Sequence, residues 1–302
     1  MTTGFTPIFS GGTGRSGTTI IGKLLGRHSL VKCGKPYEIK FLTEIFSLTD
    51  LAYGMRAFDK DEISRKSRLY LKFRPLNSYE VRLKKFEDQM LGNWYKRNNR
   101  LDKESGLHRG ISKRNLKSLL SDLRYEVKRD LEGACRTFFT EFVLAQRQYA
   151  GEPNWMDTSP PNIMNASEIY RLLPNAKFIE MQRKPLDTVA SVMREKWGPD
   201  DFESAVKWWL RRTDAAASAL ENIPRDQKLI IQLEDLVIHE RDTTYQKIMD
   251  FVGLEDELEV KSYFNSQMSA ENLNENRWMK DFPIPKEMLK QFQRLTEDRE
   301  IG

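Results

Sequence analysis

Pro7-Ile8-Phe9-Ser10-Gly11-Gly12-Thr13-Gly14-Arg15-Ser16-Gly17-Thr18-Thr19 is the stretch whose reading decides the fold. The apolar run Phe5 to Phe9 predicts a strand. Ile20, Ile21, Leu24 and Leu25 are spaced as on one face of a helix running from Thr18 to His28. Between them the glycines let backbone N–H groups converge on an anion, and the helix start adds the positive end of its dipole. Gly12 to Gly17 approaches the nucleotide-binding spacing G-x-x-x-x-G-K-[ST], but Thr18 stands in the lysine position. A nucleoside triphosphatase uses that lysine on the terminal phosphates. Here Arg15, inside the loop, is the available cation. Gly14, Arg15, Ser16, Gly17, Thr18 and Thr19 are the expected anion ligands.

A second segment of the same kind lies far along the chain. The apolar strand Lys177 to Gln182 leads into Arg183-Lys184-Pro185, and Pro185 suits the first turn of a helix reaching about Lys196. Ser191 sits about two turns into that helix, on the side of Arg183. Arginine can fork two donors onto a phosphate and serine can add a hydroxyl. Further strands are expected at Leu30–Cys33, Asn154–Met156 and Lys228–Leu233. Further helices are expected at Phe138–Tyr149, Asp201–Asn222 and Thr243–Val252, the last stopped by Gly253. Strands alternating with helices predict an α/β protein with a P-loop-type parallel sheet flanked by helices. A mostly helical insertion is expected over about residues 45–150, within a single domain spanning 1–302.

With both motifs in order, the sequence resembles the sulfotransferases. The first loop is similar to the one that holds the 5′-phosphosulfate of 3′-phosphoadenosine 5′-phosphosulfate (PAPS), and arginine at position 15 resembles tyrosylprotein and many bacterial members. Arg183 and Ser191 resemble the family's 3′-phosphate motif. Leu233-Glu234-Asp235-Leu236 resembles its late strand end, Phe251-Val252-Gly253-Leu254 the helix end that follows, and Asn276-Arg277-Trp278 a loop that folds over the nucleotide. The resemblance covers residues 5–45 and 150–290 and is weak across the insertion. It implies PAPS as the donor, adenosine 3′,5′-bisphosphate as the product and no metal. It also implies Arg277 on the phosphate side and Trp278 near the purine.

Sulfuryl transfer needs a base for the acceptor and a cation for the leaving phosphate. Arg15 suits the second task. For the first, Glu38 lies in Lys35-Pro36-Tyr37-Glu38-Ile39-Lys40-Phe41-Leu42, which resembles the glutamate-bearing region of heparan-type sulfotransferases, with Glu44 as the fallback. His28 is near in sequence but is read as capping or packing its helix. Many relatives carry a lysine before Thr-Pro after the insertion. Here Trp155-Met156-Asp157-Thr158-Ser159-Pro160 puts Thr158 in that place. Either Lys35, Lys40 or a residue of the insertion then supplies the cation, or the cation is dispensable, and Asp157, Thr158 and Ser159 are expected to line the acceptor pocket.

Length, composition and charge bound the remaining choices. Of 302 residues, 39% are hydrophobic and 31% charged, a globular composition with no run long enough to span a membrane. No signal peptide is legible, and Cys33 and Cys135 are too few for a disulfide scaffold, so a cytoplasmic setting is expected. The net charge is +5, yet residues 55–140 alone hold 22 Lys/Arg against 12 Asp/Glu. That concentration fits a solvated helical insertion or an electropositive wall facing an anionic acceptor. No nucleic-acid-binding motif accompanies it. Oligosaccharide, lipid-linked sugar, peptide tyrosine and small metabolite stay open as acceptors, and oligomeric state is not legible. Two other functions stay open: a nucleotide-dependent kinase on the same loop, and a non-catalytic module binding anionic polymers.

Overall fold

A computed structural model of the chain describes residues 4–33, 36, 38–55, 78–98, 104–147, 149–270, 273, 278–281 and 284–297. Strand β1 (Thr6–Gly11) runs into the glycine loop and then helix α1 (Thr18–Leu25). Strand β2 (Val31–Cys33) and helix α2 (Leu48–Tyr53) follow. Next come α3 (Tyr79–Leu91), a small antiparallel ribbon of β3 (Arg97–Asn98) and β4 (Glu104–Ser105), α4 (Lys113–Glu126) and α5 (Leu131–Leu144). The α/β alternation resumes with β5 (Asn154–Asp157), α6 (Ala166–Leu172), β6 (Lys177–Gln182), α7 (Pro185–Met193), α8 (Phe202–Leu220), β7 (Lys228–Gln232) and α9 (Arg241–Val252). Helices α10 (Leu258–Gln267), α11 (Trp278–Asp281) and α12 (Lys286–Glu297) close the order.

Five strands form one sheet in the order β2-β5-β1-β6-β7, every neighbouring pair parallel. A parallel sheet is covered on both faces, and successive side chains on a strand point to opposite faces. The strands show both rules. Phe9, Trp155 and Phe178 join one core with Phe41, Phe86, Phe139 and Phe142, contributed from outside the sheet. Their neighbours Ile8, Met156 and Ile179 join the other core with Ile21 and Leu24 of α1 and Ile248 of α9. The first core is largely aromatic. Phe41 and Phe142 meet edge-on at 4.7 Å, and Phe9 stacks on Phe178 at 5.9 Å. No helix among the described residues is long and apolar enough to cross a membrane.

The fold class agrees with the sequence reading, and Lys177–Gln182 is a strand over the expected residues. The helix expected at Phe138–Tyr149 is displaced: it starts at Leu131 and ends at Leu144. Its start is set by Asp130, whose carboxylate accepts the Gly133 N–H at 2.9 Å. The helix expected to run on to His28 stops at Leu25, where Gly26 closes it. Gly253 ends α9 in the left-handed conformation (φ +74°), as its position after the last turn predicts. Residues 56–77 of the expected helical insertion lie outside the described residues.

Candidate active site

Strand β1 delivers the glycine loop to the C-terminal edge of the sheet, and β6 delivers Arg183 beside it. Parallel α/β sheets place their ligand sites at this edge. The loop can follow its path only as glycine at two points. A Cβ on Gly12 would lie 2.4 Å from the Met181 carbonyl oxygen and 2.5 Å from Ser16 Oγ. Gly17 has φ +94° and turns the chain into α1 directly over Leu233, whose side chain a Cβ would meet at 3.0 Å. Arg15 takes φ +62°, which a non-glycine residue rarely adopts and which belongs to functional loops more often than to connectors.

The same path leaves donors facing a common space. Among the described residues, no hydrogen bond uses the N–H groups of residues 14–19. Ser16 Oγ is buried and lacks a partner. A buried hydroxyl without a partner is uncommon, and beside N–H groups that no backbone acceptor takes up it fits a ligand rich in acceptor oxygens.

Arg15 joins the two motifs. Its Nε donates to Ser191 Oγ at 3.0 Å and lies 3.4 Å from the buried carboxylate of Glu195. With its oxygen accepting from Arg15, the Ser191 hydroxyl can turn its own hydrogen outward to an anion. Arg183 Nη1 donates to the Arg15 carbonyl at 3.4 Å, and the Lys184 N–H donates to Glu234 at 3.0 Å. Leu233 under Gly17 and Glu234 at Lys184 therefore brace both loops from the end of one strand. That gives the Leu233-Glu234 part of the late strand motif a mechanical task.

These residues line a cavity of about 730 Å³. Gly14, Arg15, Gly17, Thr18, Thr19, Arg183, Ser191 and Trp278 are on its wall, as are Glu38 and Lys40. Ser16 lies beneath the loop. Lys35 and Arg277 lie outside the described residues. Asp157, Thr158 and Ser159 are buried and are not among the cavity-lining residues, contrary to the expectation for an acceptor pocket. Pro160 and Pro161 form that part of the wall instead. Thr158 faces α1, where its methyl lies 2.4 Å from the Cβ position of Gly22.

Of the candidate bases, His28 lies away from the cavity, whereas Glu44 lines it together with Glu38. His28 is buried at the far end of α1. Its Nδ1 accepts the Leu30 N–H, so its Nε2 carries the hydrogen toward the Glu255 carbonyl at 3.0 Å. That is the packing role expected of it. Glu44 is held by the Lys40 ammonium and by Trp94 Nε1 at 3.1 Å. Among the described residues, none from 45–159 lines the cavity. Some described charges of the basic segment engage their own neighbours. Arg124, for example, forks onto Glu87 at 2.9 and 2.7 Å.

The sequence reading missed Arg194, Trp197 and Arg212, all on the cavity wall, and Glu195 behind it. Arg194 and Glu195 are three and four residues beyond Ser191, so helical spacing from that serine would have reached them. Arg212 comes from α8, donates from Nη1 to the Thr13 carbonyl at 3.4 Å, and lies 4.6 Å from the Trp208 ring. Nothing near Thr13 in the sequence announces that contact.

Comparisons with known proteins put this geometry in context. Sulfotransferase STF9 from Mycobacterium avium is 12% identical, with 97% of this chain and 76% of that one covered and a TM-score of 0.49. Sulfotransferase STF1 from Mycobacterium tuberculosis is 16% identical, with 95% and 76% covered and a TM-score of 0.47. The sulfotransferase domain from the curacin biosynthetic pathway is 16% identical, with 85% and 76% covered and a TM-score of 0.47. No curated protein matches the chain. The model of the sulfotransferase family matches residues 77–258, which takes in α3 to α9 and the second phosphate motif. It therefore includes much of the helical segment where motif resemblance was weak. Since the matched residues make up more than half of the sequence, this chain belongs to the sulfotransferase family and is an enzyme of that type.

Proposed function

We propose that the enzyme transfers a sulfuryl group from PAPS to a hydroxyl or amine acceptor, with Glu38 as general base and Arg15 stabilising the leaving phosphate. One observation carries this reading: the glycine loop, Arg183 and Ser191 share a cavity with a glutamate on its wall. The unpartnered Ser16 hydroxyl and the unused loop N–H groups fit an anionic ligand. Gly14, Ser16, Gly17, Thr18 and Thr19 would hold its 5′ end, and Arg183 and Ser191 its 3′-phosphate. Trp278 would sit by the purine, and Arg277, outside the described residues, is assigned to the phosphate side. PAPS supplies an activated sulfuryl group on a phosphate that departs as the new bond forms.

The chain's own residues do the rest. Glu38 takes the proton from the acceptor as its oxygen or nitrogen becomes nucleophilic. Arg15 and the loop N–H groups meet the charge that develops on the departing phosphate, in place before the reaction begins. Lys40 lies on the same wall as Glu38. It adds a cation on that side, with its ammonium on the Glu44 carboxylate. The acceptor, for which an anionic carbohydrate, a lipid-linked sugar or a metabolite is proposed, would enter beside Glu38.

Calorimetry with adenosine 3′,5′-bisphosphate tests the donor assignment, and absence of binding counts against it. Arg183→Ala is expected to weaken that binding by about 10- to 100-fold, the range for losing a charged hydrogen-bond donor pair. It should also narrow the difference in affinity between adenosine 3′,5′-bisphosphate and adenosine 5′-monophosphate. An equal loss for both ligands would place Arg183 away from the 3′-phosphate. Incubation with PAPS carrying radiolabelled sulfur and a library of hydroxyl and amine acceptors tests the reaction itself.

A further inference from the structure

Asp157 ends β5 with its side chain wholly inside the protein, outside the set of residues that face the cavity. Its two oxygens reach two different cavity walls. Oδ1 accepts the Ile39 N–H at 2.9 Å. Oδ2 accepts the Ser159 N–H at 3.1 Å and Asn162 Nδ2 at 2.7 Å. Ile39 lies between Glu38 and Lys40, which face the cavity, while its own side chain is buried in the aromatic core. Ser159 directly precedes Pro160 and Pro161, which form the facing wall.

We propose that Asp157 is the positioning residue for Glu38: its carboxylate clamps the segment carrying Glu38 and Lys40 to the segment carrying Pro160 and Pro161. The role rests on the reading of Glu38 as base. Ile39 is fixed twice, by its side chain in the core and by its N–H on Asp157. The flanking residues are left to present their side chains to the cavity. Lys40 takes φ +55°, a left-handed conformation that a lysine holds only when its surroundings impose it. A carboxylate suits the clamp because it accepts on both oxygens. An asparagine there would turn a donor toward one of the two walls. Burial pushes the Asp157 carboxyl up to about 6, against the pull of its three donors. Those donors favour the ionised carboxylate that the clamp uses, where an apolar site would disfavour it.

Amide hydrogen exchange on the full chain tests the clamp, together with the ¹³C carboxyl resonance of Glu38 in glutamate-labelled protein, assigned with Glu38→Gln. Asp157→Asn is expected to speed Ile39 exchange about tenfold and to shift the Glu38 resonance, with β1 and β6 amides little changed. Ser159→Pro is the second variant. It removes one donor from Asp157 at a residue whose φ of −64° already fits proline. It should move the same two signals by about threefold and by a smaller shift. If either folded variant leaves both the Ile39 amide and the Glu38 resonance as in the parent, Asp157 does not position Glu38. Should Asp157→Asn fail to fold, Ser159→Pro alone decides. Normal sulfuryl transfer by Glu38→Gln would instead overturn the base assignment and leave the exchange result standing.

Discussion

Glu38→Gln is expected to bind adenosine 3′,5′-bisphosphate with nearly parental affinity and to transfer sulfuryl groups about 10²- to 10⁴-fold more slowly, the usual contribution of a positioned general base. Glutamine keeps the size and polarity of glutamate but cannot take a proton. The loss should fall on turnover with any acceptor found in the screen, since the phosphate loops are untouched. The competing carboxylate, Glu44, lines the same cavity and accepts from Lys40 and from Trp94 Nε1. On the assignment of Glu38 as base, Glu44→Gln should cost far less turnover than Glu38→Gln. Equal or reversed losses, read from initial rates at saturating donor, would move the base to Glu44.

The second large effect concerns the loop itself. Gly12→Ala is expected to lower unfolding free energy by about 3 kcal/mol and to weaken nucleotide binding by about 100-fold or more. The added methyl would sit 2.4 Å from the Met181 carbonyl oxygen, and backbone on a central strand cannot retreat as a flexible side chain would. The loop must move instead, and its converging N–H groups move with it. Gly14 supplies the control. A Cβ there meets nothing closer than the Trp208 ring at 3.7 Å, so Gly14→Ala suffers only the strain of φ +91°, roughly 1 kcal/mol. Denaturant unfolding and calorimetry on the two variants separate these costs. Comparable destabilisation by both would show that crowding at Gly12 is not what fixes the loop.

The parts of the site that could be read from the sequence are those in which chemistry and local structure coincide. A loop of glycines between an apolar run and a helix face announces both a turn and an anion site. Arg183-Lys184-Pro185 after an apolar strand does so again. Sheet order was not legible in the same way. Nothing in residues 6–11 or 154–157 says that β5, not β2, lies beside β1. That neighbour is chosen by the fit of Phe9, Trp155 and Phe178 into one aromatic core, a property of residues far apart in the chain. The expectation that Asp157, Thr158 and Ser159 line the cavity failed for a related reason. Asp157-Thr158-Ser159 has the polarity of a binding loop, but polarity does not reveal direction. The strand end turns these side chains inward, to hydrogen bonds and to the groove over Gly22, and leaves the following prolines on the surface. Arg212 illustrates the remaining gap, since a helix some two hundred residues from the loop reaches it only after folding.

Leu233 and Glu234 are consecutive in the chain, yet one supports the turn into α1 and the other holds the start of α7. On the proposed reading, the loops that would hold the two ends of the nucleotide rest on one short pivot. A shift of that strand end would displace both loops together, leaving little means of relaxing the grip on one phosphate while keeping the other. Release of the spent nucleotide is then expected to be a single cooperative event, and changes at the pivot should alter how long the product stays without altering which phosphate is preferred.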